Sequence, residues 1–248
     1  MTSWAEKETT FLRNVAQDEL ASWFLQSFEN DSLKPFTYEN LSPEAQIQDA
    51  FENLGSEDQE KVRAAVVQAI KNWTDNNYTS STLESIAFVA AYTRASEAIT
   101  PLVHIIDEKQ VTRKDDEDDV PSKIIAVIGG FSPSEEVENT FRRWLNDPEF
   151  EWHYSAQLLI GLAICSPEKY PEYLPRFLEI TEKHPDVFRL DYCWTEFTSL
   201  VGHATIVKHY NELPPQIQES FLKSLKRHTP DIEEVIVDLL NTKTLSRK

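Results

Sequence analysis

Residues 132–161 read SPSEEVENTFRRWLNDPEFEWHYSAQLLIG, and within them Val137, Phe141, Trp144 and Leu145 fall at intervals of four, three and one. Those intervals place all four side chains on one face of an α-helix. The same intervals return as Tyr170, Leu174, Phe177 and Leu178, so the segment Pro121 to Pro185 holds two helix-turn-helix units built to one pattern. Further out, Val62, Val66, Ala69 and Ile70 repeat it, as do Ala98, Leu102, Ile105 and Ile106. Ile217, Phe221, Ser224 and Leu225 keep the spacing with a polar residue in third place. The pattern is that of a helical repeat.

The ladders begin at 62, 98, 137, 170 and 217, which stand 36, 39, 33 and 47 residues apart. That range suits helical-pair arrays and is too irregular for a strict tetratricopeptide array. Ser96, Ser134 and Ser166 each precede a ladder by a few residues, so the turn recurs with the stripe. The partner helices carry small residues, Ala87, Ala90 and Ala91 in one and Gly161 and Ala163 in another. A bulky stripe facing small residues lets stacked helices fill a shared core.

Composition agrees. The chain has 248 residues, 40% of them hydrophobic, with only five glycines against thirteen prolines. That is too little glycine for the turns of an all-β fold and suits helices punctuated by proline. Cys165 and Cys193 are the two cysteines, and no CxxC is present, so neither a disulfide framework nor a zinc site is expected. The first residues show no basic segment followed by an apolar run, and no stretch approaches about twenty apolar residues. A cytoplasmic protein that neither enters nor crosses a membrane is expected.

Taken in order, Phe11, Val15, Leu20, Phe24 and Phe28 mark an amphipathic helix over residues 10–29. A second helix follows Ser42-Pro43-Glu44 and closes at Gly55. Periodicity lapses between Asp107 and Pro121, where Asp115 to Asp119 form the densest acidic block, read as a solvated loop. Thr229-Pro230-Asp231 starts a terminal helix with the stripe Ile232, Val235, Ile236 and Leu239, and a frayed tail is expected over residues 242–248. The whole is read as a single domain, 1–248.

From Ser132 to Gly161 the sequence resembles HEAT-type (armadillo-like) repeats. Asp147-Pro148 closes one helix, and Trp152, Ala156, Ile160 and Gly161 follow at spacings like those of the second HEAT helix. His153 stands where that family often has arginine. The likeness is weaker over 81–107 and 166–202 and poor at both ends. It implies an all-α, right-handed α-α superhelix of about six irregular helix pairs, with the second helices on a concave binding face. On that resemblance Trp152 is expected in the core.

No residue constellation dictates a reaction. The six histidines include no HExxH and no His-Glu dipeptide, which sets the chain apart from HEAT-like di-iron hydroxylases. Gly129-Gly130 lacks the lysine and further glycines of a phosphate loop, and neither cysteine has a base beside it in sequence. No catalytic residue, cofactor or metal is therefore assigned, and the sequence points away from an enzyme.

The formal charge of −18 argues against nucleic acid and anionic lipid as partners, and against the HEAT-like DNA glycosylases. A basic protein is the natural partner. The expected site joins Glu151 and Tyr154 to Asp191 and Tyr192, aromatic and acidic residues at the starts of successive second helices. The expected role is a protein-binding adaptor or scaffold. The alternatives are an immunity protein or inhibitor that neutralises a basic, nucleic-acid-binding toxin or enzyme, and a pigment lyase-like or other enzyme in the concave groove.

Overall fold

The computed structural model describes residues 51–245 except 53, 76–77, 112–118, 185–189 and 230–231. Among them are eleven α-helices and no strand. The helix expected over residues 10–29, the start of the one expected to close at Gly55, and residues 112–118 of the acidic loop lie outside the described residues. Two compact units result, one up to Phe131 and one from Ser132.

In the first unit, α1 (Ser56–Lys71) has Glu57 and Asp58 in its first turn and Lys71 in its last, each opposing the helix dipole at its own end. The Thr79 side chain caps α2 (Ser80–Tyr92) by accepting from the Thr82 N–H at 3.1 Å. Next come α3 (Ile99–Asp107) and α4 (Val120–Gly129), the latter capped by Asp119 and carrying Pro121 in its first turn, where no N–H is needed. Helix α1 packs on α2 and α3 on α4, while α1 also meets α3 and α2 meets α4. Val62, Val66, Ala69 and Ile70 are buried, as are Ala98, Leu102, Ile105 and Ile106. Trp73 Nε1 donates to Gln110 Oε1 at 3.1 Å, joining the turns that follow α1 and α3.

The second unit contains α5 (Glu135–Asn146), α6 (Ser155–Cys165), α7 (Tyr170–Lys183) and α8 (Leu190–Val201). After these come α9 (His203–Tyr210), α10 (Pro215–His228) and α11 (Glu233–Leu245). Alternate helices again meet, α5 packing on α7 and α6 on α8, while α7 also meets α10 across two intervening helices. Both ladders of this unit are buried, from Val137 to Leu145 and from Tyr170 to Leu178, and Phe221 and Leu225 join them from α10. Ile217 and Ser224 are half-buried. Gly202, with φ 78°, forms the bend between α8 and α9, a conformation that glycine adopts without a Cβ penalty. Helix α11 continues to Leu245, further than the sequence pattern predicts.

Two contacts set the frame of this unit. Gly161 lies so close to the Phe141 ring that a Cβ there would fall inside the ring's van der Waals envelope. Helices α5 and α6 therefore approach through an aromatic ring seated on bare backbone. Glu138 joins α5 to the turn before α7: Arg142 Nε and Lys169 Nζ each donate to Oε1 at 3.0 Å, and Ser166 Oγ donates to Oε2. Burial alone would raise the Glu138 carboxyl, but the hydrogen bonds from Ser166, Lys169 and Arg142 outweigh it and hold the group down at about 2.

Two outcomes follow. Phe141→Ala should cost roughly 3–5 kcal/mol in urea unfolding, and Gly161→Ala about 1–3 kcal/mol by overpacking. Phe141→Leu in the Gly161→Ala background should recover part of that loss, and strict additivity would show that the two positions do not touch. The Glu138 value is lower folded than unfolded, so its stabilisation is complete above the ordinary 4.5 and is lost as the pH falls toward about 2. Glu138→Gln should lower stability at neutral pH by about 2–3 kcal/mol and flatten its decline across that acid window; unfolding midpoints measured at several pH values decide it.

Candidate partner-binding site

The proline of Asp147-Pro148 disfavours helical backbone at Asp147, and α5 ends at Asn146 with Asp147 extended (ψ 117°) as its C-cap. The chain crosses to α6 through Glu149 to Glu151 and a single 3-10 turn, Trp152–Tyr154. The Asp147 carboxylate accepts the Glu149 N–H at 2.9 Å and shapes this crossing. The aromatic residues then divide. Phe150 stacks on Trp144 with ring centroids 5.1 Å apart, and Tyr154 meets Phe150 edge-on at 6.0 Å. Trp152 turns the other way and lies parallel to His184 at the end of α7, 4.3 Å away with an interplanar angle of 2°.

Sequence reasoning put Glu151, Tyr154, Asp191 and Tyr192 on a common surface. Glu151 is exposed, with Oε2 3.3 Å from His153 Nε2, and Tyr192 is 60% exposed on the first turn of α8. Tyr154 is 3% exposed, so its ring belongs to the core and not to the surface. Trp152, expected in the core, is 38% exposed, so this aromatic pair exchanges roles. Residues 151–154 precede α6, which begins only at Ser155, so the helical face drawn through them from the sequence does not apply. The side chain of Asp191 lies outside the described residues. Cys193 Sγ sits 3.7 Å from the Ala156 carbonyl and brings the first turns of α6 and α8 together. Helix α6 itself begins at Ser155, later than the sequence suggests, and α8 is described from Leu190.

Beside this surface is a cavity of about 180 Å³ between the end of α5 and the end of α7. Trp152, His184, Phe150 and Ser155 line it, with Asp147 and Glu151 from the crossing and Arg176 and Lys183 from α7. Arg176 Nε donates to the Leu145 carbonyl at 3.1 Å, satisfying a helix-end acceptor of α5. Lys183 and Arg176 both bind Glu179, at 2.7 and 2.8 Å, and hold its carboxyl below the ordinary value. Ser155 is 2% exposed, and its hydroxyl finds no hydrogen-bond partner among the described residues. Leaving such a group unpaired costs about 1–3 kcal/mol.

Nothing in the sequence signalled the cavity. His184 is 32 residues from Trp152, and Ser155 looks like any polar residue in a first helical turn.

The remaining chemistry is spare. Among the described residues no group of three or more His, Cys, Asp or Glu side chains is placed to hold a metal ion. Neither cysteine forms a disulfide, and burial pushes the Cys193 thiol up, away from the reactive thiolate. No described helix is long and apolar enough to cross a membrane. No protein-family model matches the chain, and comparison with curated proteins and with solved structures gives no match either.

Three substitutions separate core from surface. Tyr154→Ala should cost roughly 3–5 kcal/mol. Tyr192→Ala should stay within about 0.5 kcal/mol of wild type. Ser155→Ala should raise stability by about 1 kcal/mol by removing the unpaired hydroxyl. Chemical denaturation measures all three, and a clear loss for Ser155→Ala would show that its hydroxyl is already satisfied in the free protein.

Proposed function

We propose that this chain is a HEAT-like helical-repeat protein that serves in the cytoplasm as a protein-binding adaptor or scaffold and takes a basic partner. Support for the repeat reading comes from the packing within α1 to α4 and within α5 to α8, where first helices meet first helices and second helices meet second helices. In an array of this kind α6 and α8 are second helices of successive pairs, the ones expected on the concave face of a right-handed superhelix. The observation that carries the functional reading is that Trp152, in the turn before α6, and Tyr192, in the first turn of α8, are both exposed, while the Cys193–Ala156 contact joins the starts of those two helices and Glu151 precedes Trp152 in the chain. Exposed aromatics anchor interfaces, and carboxylates around them favour a cationic partner. The net charge of −18 steers such a partner in and keeps nucleic acid away.

Peptides selected from a random displayed library on the purified chain provide the test. Selected sequences should be enriched in Lys and Arg, and their affinity should fall roughly tenfold between about 50 and 500 mM salt. The double variant Trp152→Ala/Tyr192→Ala should bind them about tenfold or more weakly with its melting temperature retained. Selection of acidic or neutral peptides would end the basic-partner reading, and salt-resistant binding of duplex DNA or RNA would overturn the charge argument.

A further inference from the structure

We propose that the cavity between the end of α5 and the end of α7 is an arginine-recognition pocket, built to receive one guanidinium side chain of the basic partner. The proposal deepens the reading above and rests on it.

Size comes first. At about 180 Å³ the cavity is smaller than the roughly 300 Å³ at which small-molecule and cofactor sites begin, and it suits a single long side chain. Its aromatic wall comes next. Trp152 and His184 lie parallel, 4.3 Å apart, and present stacked rings, one held by the crossing and the other by the end of α7. A guanidinium is planar and weakly hydrated and packs against such surfaces, whereas an ammonium is a compact, strongly hydrated charge.

The acceptors decide the sign of the ligand. Asp147 accepts the Glu149 N–H on one carboxylate oxygen and brings a second acceptor oxygen to the lining. Glu151 is exposed at the rim, with Oε2 3.3 Å from His153 Nε2. Ser155 offers a buried hydroxyl without a partner among the described residues. The two cations in the wall are already engaged: Lys183 and Arg176 share Glu179, and Arg176 also donates to the Leu145 carbonyl. With Glu179 counted, the carboxylates around the cavity outnumber the cations, and the whole chain carries −18. An anion would enter against that field. Several acceptors spread beside a flat wall match the fork of donors on arginine better than the single point of a lysine.

The experiment uses the full chain and N-acetyl-arginine N-methylamide as probe, with the lysine and citrulline analogues and inorganic phosphate alongside. Amide and indole N–H shifts are followed by NMR, and Trp152→Phe identifies the indole signal of that residue. The expected result is a saturable shift at Trp152 and Ser155 with the arginine probe, roughly tenfold weaker with lysine or citrulline and absent with phosphate. Ser155→Leu should fill the cavity and weaken the arginine probe about tenfold or more. Glu151→Gln, an exposed position that leaves the core alone, should weaken it severalfold even if the leucine variant fails to fold. Equal response to lysine or citrulline, a phosphate shift at the same residues, or arginine binding unchanged in Glu151→Gln and Ser155→Leu would each overturn the pocket. Basic peptides that bind wild type and these variants equally would leave the adaptor reading standing and remove the pocket. A pocket that takes the arginine probe while no basic peptide is selected would do the reverse.

Discussion

The Phe141 ring seated on Gly161 is the contact on which the second unit depends. A ring pressed on bare backbone fixes the separation of α5 and α6 tightly, because the glycine side of the contact has no side chain that could move to adjust it. With that distance set, the ladder on α5 is committed to the core, and α7 must stack its own ladder beside it. Trp194, Phe197 and Phe221 then close around Tyr170 and Phe177, with ring centroids 5.4 to 6.4 Å apart. Tyr170 keeps its hydroxyl satisfied by donating to the Ile206 carbonyl at 2.9 Å, a buried polar group paired as burial demands.

A chain this acidic must place its carboxylates with care. Glu135, Glu136 and Glu138 fill the first turn of α5, where the helix dipole favours them, and Arg143 occupies the last. Glu138 is tied three ways. Glu179 is shared by two cations on the surface of α7, an arrangement that contributes little to stability because it is exposed, yet settles where Arg176 and Lys183 point.

The cavity is a consequence of unequal helix lengths. On the register that pairs Val137 with Tyr170 and Leu145 with Leu178, Asn146 falls opposite Glu179, so residues 180–183 of α7 overhang the end of α5. The loop Asp147 to Glu151 and the Trp152 turn fold against this overhang without filling it. What remains is lined by whichever side chains the loop carries, here aromatic and acidic ones. A helix that ends early at Asp-Pro thus makes room for a cavity beside an otherwise filled core.

Period, punctuation and composition alone determined that this protein is helical and which faces of its helices are apolar. Phe141, Trp144, Leu174 and Phe177 were legible as core because a stripe of large apolar groups at helical spacing can be buried in only one direction. Asp147-Pro148 was legible as a helix end because proline constrains the residue before it. The candidate site was legible only in part. Glu151 and Tyr192 are exposed as expected, but Tyr154 and Trp152 exchange places, since both lie in a 3-10 turn before α6 and not on its helical face, and no local pattern announces that turn. The Trp152–His184 stack and the unpaired Ser155 hydroxyl were decided by tertiary structure. They depend on how far α7 runs past α5, a relation between segments distant in sequence that neither segment records by itself.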